Sequence, residues 1–175
     1  MKPDIDANRR RFIQASFALA LAFALGKMAR LLSLVPAPAR EPGEGMSEYR
    51  NAHYGLSFLY PGDLAVGTFD EGDGAATITF QNPRRAEGFQ IFITPYGEPR
   101  ITDERFKQDV PSGVRKSSTP VTVDGSTGAA FLSENVALGA TKEVWFTHGG
   151  FLYEITTLAP LGAHLDAVIR TWKFV

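Results

Sequence analysis

The chain of 175 residues contains no cysteine. This absence excludes a disulfide framework, a thiolate metal site, a cysteine nucleophile and a lipid anchor attached to cysteine. An excess of charge of one sign is lacking too, because 18 basic and 19 acidic residues leave a net charge of −1. No nucleic-acid partner is therefore expected. With 44% apolar residues the chain is too hydrophobic to be disordered, and its length suits one globular domain with a short extension.

The near-neutral total hides an uneven distribution of charge along the chain. Residues 1–39 contain six basic and two acidic side chains, which leaves 12 basic and 17 acidic ones, a net charge of −5, for residues 40–175. Three consecutive arginines at 9–11 stand directly before the apolar run 12–26. A basic segment followed by about 7–15 apolar residues is the layout of an export signal.

The basic segment also resembles the twin-arginine export motif, in which two arginines, any residue, a phenylalanine and an aliphatic residue follow in order. The residues that carry this resemblance are Arg9, Arg10, Phe12 and Ile13. Further along, Ala-Pro-Ala at 37–39 offers a cleavage site of the A-x-A kind. We therefore predict that residues 1–35 are a signal peptide or an N-terminal membrane anchor containing a hydrophobic helix.

Three interpretations of this leader stay open: a cleaved signal peptide, an uncleaved anchor, and an amphipathic helix in the cytosol. A helix over 12–26 would be roughly 22 Å long, short of the ~30 Å hydrocarbon core. Extension to 12–35 is long enough, but it places Lys27 and Arg30 in the membrane at about 2.5–3.5 kcal/mol each near its centre, unless both snorkel from one end. The first two interpretations place residues 40–175 outside the cytoplasm, in the periplasm or an equivalent compartment.

The rest of the chain divides into a linker and a domain. Residues 36–48 are rich in proline and glycine and show no apolar periodicity, so we predict a flexible linker. The domain covers residues 49–175. In it, residues 76–81 alternate between apolar and polar, as in a half-buried strand, and residues 88–96 are apolar on both faces, as in a central strand.

Turn and helix signals complete the prediction of an α+β domain. Asp-Gly at 124–125 and Gly-Gly at 149–150 each separate two strand-like runs and predict β-hairpins. Segment 101–110 has a threonine N-cap and acidic residues in its first turn, and segment 161–170 has apolar residues on one helical face. We expect a central, mostly antiparallel sheet with helices packed on its faces, preceded by the hydrophobic helix of the leader.

Two segments of the domain resemble the PsbP-like family. The sequence Tyr-Gly-Leu-Ser-Phe-Leu-Tyr-Pro at 54–61 resembles the opening strand of that family. Residues 150–157, the helix at 161–170 and Thr-Trp-Lys-Phe at 171–174 are similar to its last hairpin, helix and terminal strand. The resemblance implies the Mog1/PsbP fold and an accessory or assembly module rather than an enzyme.

The sequence also departs from the family pattern. Leu64 stands where the family has a tryptophan after the proline, and residues 40–52 lack the lysine-rich segment that docks the photosynthetic subunit. Both departures argue against a photosystem role and favour the generic bacterial exported branch.

The residues that could bind a metal show no recognisable spacing. His53, His148 and His164 form neither an H-x-H nor an H-E-x-x-H pattern, so we expect surface or capping histidines. The acidic segment 70–74 has glycine at the third and fifth positions, where a calcium loop needs oxygen ligands, and we expect a solvated loop. We therefore expect no cofactor, although members of the family that the sequence resembles have been seen with divalent cations.

The residues that could act on a substrate or a partner are sparse. Gly-Ser-Thr-Gly at 125–128 is one residue short of the G-x-S-x-G hydrolase motif and suits a hairpin turn. Aromatic residues flank the Gly-Gly turn, and they cannot all point inward if one side of the sheet is open. We therefore predict a partner surface on Trp145, His148, Phe151 and Tyr153.

Three functions remain in competition. The first is a non-catalytic, exported or membrane-tethered interaction module that contacts a membrane-associated protein complex. The second is a binding protein for a small molecule or a divalent metal ion, with a cleft between the sheet and its helices. The third is a hydrolase with a dispersed site, which would require a contact chain of histidine, acid and serine.

Replacement of both Arg9 and Arg10 by lysine is expected to block export if the twin-arginine route is used, since that route recognises the arginine pair. Accumulation of the chain in the cytoplasm, measured by fractionation and immunoblotting, checks this prediction. Unchanged export would assign the segment to the general secretory route or to an anchor. N-terminal sequencing of the exported chain tests cleavage separately, because a start at Met1 or Lys2 excludes a processed signal.

Overall fold

The computed structural model describes residues 45–82, 84–109, 115–135 and 138–175. The predicted leader over 1–35, including the export motif, lies outside these ranges. None of the helices in the described ranges has the length and hydrophobicity needed to cross a membrane.

The described residues form ten β-strands and two α-helices. The strands are β1 (Met46–Asn51), β2 (Leu56–Pro61), β3 (Ala65–Gly72), β4 (Ala75–Asn82), β5 (Glu87–Pro95), β6 (Lys116–Val123), β7 (Ser126–Asn135), β8 (Gly139–His148), β9 (Phe151–Leu158) and β10 (Lys173–Phe174). The helices are α1 (Asp103–Asp109) and α2 (Gly162–Arg170), and a 3-10 turn at Ala159–Leu161 leads into α2.

The strands form two antiparallel sheets. Seven strands pair in the order β3-β4-β5-β9-β8-β7-β6, and three pair in the order β1-β2-β10. The C-terminal strand β10 therefore returns to the first hairpin of the domain, where Lys173 pairs with Ser57 and Phe174 with Leu56. The predicted α+β class is confirmed, and the small second sheet is a feature that the sequence patterns did not reveal.

Two of the hairpins form at the glycine-containing dipeptides indicated by the sequence. Asp124 and Gly125 have φ angles of 43° and 84°, and Gly149 and Gly150 have φ angles of 58° and 81°. Positive φ at both central residues is typical of a type I′ turn, whose twist matches that of the flanking strands. The predicted β6–β7 and β8–β9 hairpins are therefore confirmed.

The main hydrophobic core lies between the two sheets. Alternation along the strands of the large sheet sends one set of side chains into it, such as Ile91 and Ile93 of β5. Trp172, which is 1% exposed, joins the two sheets. Its ring stacks on Phe58 of the small sheet at a centroid distance of 4.6 Å and meets Phe146 of the large sheet edge-on at 5.5 Å.

Helix α2 packs on the same face of the large sheet as the small sheet. Its buried apolar side, predicted from the helical spacing, includes Leu165, Val168 and Ile169, which belong to the main core. On its other side, the Nζ atom of Lys142 on β8 lies 2.6 Å from the carboxylate of Asp166. Apolar burial and this ion pair together fix α2 against the sheet.

Helix α1 packs on the opposite face of the large sheet, which we call the outer face. The Oγ1 atom of Thr102 accepts a hydrogen bond of 3.1 Å from the backbone N–H of Arg105 and caps the helix as predicted. Phe106 stacks on Trp145 at 5.0 Å and meets Phe131 edge-on at 5.5 Å. Each face of the large sheet therefore carries a helix, as the sequence predicted.

Two strands, β1 and β3, have no counterpart in the sequence-based prediction. Residues 46–48, assigned to the linker, begin β1, and residues 70–72, assigned to a solvated loop, end β3. Both strands lie at an edge of their sheet, where polar residues and glycine replace the usual apolar alternation. Backbone pairing with β2 and β4 determines their structure instead.

Replacement of Trp172 by alanine is expected to lower the free energy of unfolding by about 3–5 kcal/mol, because it leaves a cavity between the two sheets. Urea denaturation followed by circular dichroism measures this loss. Val175, which is 83% exposed, supplies the control, since its replacement by alanine removes almost no buried surface. Equal stability of the two variants would contradict the role of Trp172 in joining the sheets.

Candidate functional site

The predicted partner surface on the β8–β9 hairpin contains two residues that are not at the surface. Trp145 and Tyr153 are 2% and 1% exposed. Trp145 belongs to the cluster under α1, and Tyr153 belongs to the core between the sheets. The prediction is wrong for these two residues because both faces of the sheet are covered here, so alternating side chains pack on both sides. His148 and Phe151 are half-buried and reach the surface.

His148 and Phe151 belong to a row of rings at one end of the domain. The two residues pair directly across the hairpin. The ring of Phe151 meets Tyr54 edge-on at 5.2 Å, and the ring of His148 lies flat on Phe174 at 3.5 Å. We call these four half-buried rings the aromatic rim. His53, which is exposed, extends the row through an edge contact with Tyr54 at 4.6 Å.

The C-terminal strand is held to the rim by the turn between β6 and β7. The Oδ2 atom of Asp124 accepts a 2.8 Å hydrogen bond from the backbone N–H of Phe174, and Oδ1 lies 3.0 Å from Nζ of Lys173. These two contacts, the backbone bond first, hold the pKa of Asp124 below its usual value. The backbone N–H of Val175 donates a 2.8 Å bond to the carbonyl oxygen of Gly55. Phe174 is therefore fixed from both sides.

The tyrosines near the rim are neutral hydrogen-bonding groups. Burial raises the pKa of Tyr54, and the negative charge of Asp70 raises it further. Burial raises the pKa of Tyr153 to about 12, with a further contribution from Tyr54. Both phenols therefore remain protonated at physiological pH. Tyr54 can donate a hydrogen bond to a partner, but it cannot act as a base.

The structure contains one of the contacts that the hydrolase hypothesis requires, the one between a serine and a histidine. In the part of the chain that the structure describes, no acidic side chain is hydrogen-bonded to that histidine. The Oγ atom of Ser126 lies 2.8 Å from Nδ1 of His148, a distance suited to a nucleophile and its base. Asp124, whose charge acts on His148, gives its carboxylate to Phe174 and Lys173 instead. The ring of His148 is also covered on one face by Phe174. The contact also joins the β6–β7 and β8–β9 hairpins.

A small cavity lies between α2 and the large sheet, where the hypothesis of a ligand-binding protein requires a cleft. Its volume is about 30 Å³, and its walls are mainly apolar, among them Leu64, Phe89 and Leu165. The Nδ1 atom of His164 is buried at this site and has no hydrogen-bond partner among the described residues. A cavity of this size holds a water molecule or two. Ligand pockets are about ten times larger.

Under α1, the outer face carries a buried polar network that the sequence patterns did not indicate. Glu143, which is 7% exposed, accepts hydrogen bonds from Thr141 at 2.8 Å, from Thr156 at 2.6 Å and from Nε1 of Trp145 at 3.3 Å. Acidic residues are mostly exposed, so a glutamate within a strand is read as a surface position. Three donors satisfy the carboxylate and permit its burial.

The outer face carries a second buried carboxylate, that of Glu154, which is 3% exposed. Oε1 of Glu154 lies 3.6 Å from Nη2 of Arg105. The Nε atom of the same arginine contacts Asp109, one helical turn later. Arg105 therefore links α1 to β9 through charge as well as through packing. The sequence gives no sign of this pairing, because Arg105 lies on α1 and Glu154 lies on β9, far apart in the chain.

The candidate metal ligands predicted from the sequence stay apart. In the ranges that the structure describes, histidines and acidic residues form no group of three or more that could hold a metal ion. In the acidic segment, the Oδ1 atom of Asp70 accepts a 2.8 Å hydrogen bond from the backbone N–H of Gly72. This bond closes the bulge at the end of β3, so the side chain has a structural role.

Comparison with known proteins identifies the fold. No family model matches the sequence, and no curated protein is similar to it. The solution structure of cyanobacterial PsbP from Synechocystis sp. PCC 6803 is similar with a TM-score of 0.50 and 15% sequence identity, over 84% of this chain and 99% of that chain. The domain therefore has a PsbP-like fold, as the two resembling segments predicted.

A second solved structure, a crystal structure from Bacteroides thetaiotaomicron VPI-5482, aligns with a TM-score of 0.47 and 14% identity. The match covers 75% of this chain and 49% of the other protein, so this chain spans about half the length of that protein.

Protonation of Asp124 is expected to release the C-terminal strand. Its folded-state pKa lies below the ordinary 3.8, so the carboxylate stabilises the strand above pH 3.8, and this contribution disappears as the pH falls through the lowered pKa. Amide hydrogen exchange of Phe174, measured by NMR between pH 2 and pH 5, should accelerate relative to the core amides at the acidic end.

Asp124→Asn removes the charge but keeps a residue that tolerates positive φ. The extra acceleration at low pH should therefore be absent in this variant. Asp73→Asn is the matched control, because Asp73 also precedes a turn glycine and has a φ angle of 52°. Persistence of the effect in Asp124→Asn would assign it to another group.

Proposed function

We propose that the domain is a non-catalytic accessory module that acts outside the cytoplasm through contact with a membrane-associated protein complex. The aromatic rim carries this proposal. The PsbP-like fold supports it, because the family that the sequence resembles comprises accessory and assembly modules. The predicted leader supports the location, either as a signal for export or as a tether to the membrane.

The rim has the composition of a protein–protein contact. Aromatic residues are enriched at the centres of such interfaces, because each ring buries a large area at a small cost in conformational entropy. Tyr54 adds a hydroxyl donor beside the apolar ring of Phe151. A partner can therefore cover apolar surface and accept a hydrogen bond at the same place.

The rim is also held in one conformation. Phe174 is fixed because its backbone N–H donates to the carboxylate of Asp124 and because the next residue, Val175, is hydrogen-bonded to Gly55. His148 is fixed between Phe174 and Ser126. A surface that is ordered before binding loses less entropy when the partner arrives. Rigid presentation of rings supports recognition of a partner more directly than it supports turnover of a substrate.

A hydrolase is the second candidate, since the contact between Ser126 and His148 is the one expected of a nucleophile and a base. Ser126→Ala would abolish hydrolysis of an activated ester such as p-nitrophenyl acetate if this pair were catalytic. We expect no turnover above the background rate from the native chain, and none that depends on Ser126.

The interaction module is tested by purification of the full chain from its native membrane in mild detergent, with quantitative mass spectrometry. One or more membrane-complex subunits are expected to co-purify in fixed ratio. Phe151→Ser should reduce their recovery about tenfold, as expected for loss of a central aromatic contact.

Leu132→Ser is the matched control, because Leu132 is an exposed apolar residue on β7 that lies outside the rim. Circular dichroism should show that both variants are folded. Recovery of the native chain without a partner, or equal recovery from both variants, would overturn the proposal.

A further inference from the structure

The end of the domain that carries the aromatic rim has an excess of acidic side chains. The antiparallel order of the strands brings five segments together at this end, over residues 51–55, 70–75, 95–101, 123–126 and 148–151, and residues 173–175 lie beside them. The charged side chains in these segments are Asp70, Glu71, Asp73, Glu98, Asp124, Arg100 and Lys173, a net charge of −3. Two neighbouring ion pairs, Arg50 with Glu48 and Arg115 with Asp103, add no net charge. This end of the domain therefore attracts cations and repels anions.

Within this end, Asp70 is the carboxylate that lies against the rim. It pairs with Ala76 on the face of the large sheet that carries the core, since Ala76 in turn pairs with core residue Ile93. Burial raises the pKa of Tyr54, and the charge of Asp70 lies near enough to raise it further. The Oδ1 atom of Asp70 accepts the bond from Gly72, whereas in the described ranges its Oδ2 atom forms neither a hydrogen bond nor an ion pair. Asp70 is exposed, so one negative oxygen is available near the ring of Tyr54.

Contact with a partner changes the solvation of this carboxylate. A partner that covers Tyr54 and Phe151 also removes water from Asp70, and a charge that is buried without a counter-charge is costly. An apolar surface alone therefore does not fit the rim, and an anionic one is repelled. A cation satisfies both elements of the site, because the negative face of an aromatic ring attracts it and the carboxylate pairs with it.

We propose that the partner of the rim presents an arginine side chain, whose guanidinium group lies over the ring of Tyr54 and donates hydrogen bonds to the carboxylate of Asp70. The inference rests on the proposed function, because it specifies what the partner brings to that same surface. Arginine suits the site better than lysine, since its guanidinium group is flat, stacks on aromatic rings and is less strongly hydrated than an ammonium group. Phe151, which meets Tyr54 edge-on at 5.2 Å, then packs against the apolar surface beside this arginine.

Titration of the full chain in mild detergent with the peptide Gly-Arg-Gly-Arg-Gly tests the site without the partner. The amide NMR signals of Tyr54 and Gly72 should shift as the peptide binds. The same peptide with citrulline in place of arginine should bind about tenfold more weakly, because citrulline has a similar shape and no charge. Equal binding of the two peptides would assign the site to a neutral partner and would overturn the proposal, as would an arginine peptide that does not bind.

Asp70→Asn keeps an acceptor for the N–H of Gly72 and removes the charge. It should therefore weaken binding of the arginine peptide about tenfold, while circular dichroism shows an unchanged fold. Glu104→Gln is the matched control and should leave binding unchanged, because Glu104 is an exposed acidic residue on α1, which packs on the outer face. A loss of the same size in both variants would indicate a general attraction to an acidic domain and would contradict a site at Asp70.

Purification of the full chain from its native membrane separates this inference from the function on which it rests. Asp70→Asn should lower the recovery of membrane-complex subunits, and recovery by the native chain should fall as the salt concentration rises, because salt screens the ion pair. A loss with Phe151→Ser but none with Asp70→Asn would refute the arginine contact and leave the interaction module standing. Recovery of no partner by the native chain would refute both.

Discussion

The packing of Trp172 between the two sheets is the contact on which the rest of the domain depends. Its ring touches Phe58 in the small sheet and Phe146 in the large one, so it fixes how the two sheets face each other. Because β10 begins at the next residue, the same ring determines where the C-terminal strand meets β2. Phe174 then reaches His148, and the core thereby sets the geometry of the aromatic rim.

The two faces of the large sheet are stabilised by different forces. The face toward the small sheet is held by apolar packing, whereas the outer face combines a small aromatic cluster with buried carboxylates. Arg105 and the hydrogen bonds to Glu143 compensate the loss of solvation on that side. Packing and polar pairing therefore stabilise a domain that has no cysteine with which to form disulfides.

Much of the fold could be predicted from the sequence, because local signals and tertiary structure agree. The type I′ turns at 124–125 and 149–150, the N-cap at Thr102 and the apolar face of α2 each follow from local chemistry. The two resembling segments were sufficient to predict the fold. Strands β1 and β3 could not be predicted, because an edge strand can form without the alternation of apolar and polar residues that marks the other strands.

The candidate site was harder to predict than the fold. Trp145 and Tyr153 could be placed near the surface only by the assumption that one face of the sheet is open, and α1 closes that face. Tyr54 meets Phe151 across 97 residues of the chain (151 − 54), and Phe174 meets His148 across 26 residues (174 − 148), and no local pattern encodes either contact. The burial of Glu143 depends on donors from a neighbouring strand and is equally non-local.

The return of β10 to the first hairpin has a consequence for how the domain is made. Thr171 and Leu59, which are hydrogen-bonded, are separated by 112 residues, so the small sheet closes a very long loop of the chain. Contacts between such distant segments form slowly, since the entropy of loop closure is lost before they can stabilise the chain. The contact of Trp172 with both sheets is therefore expected to be among the last to form as the domain folds.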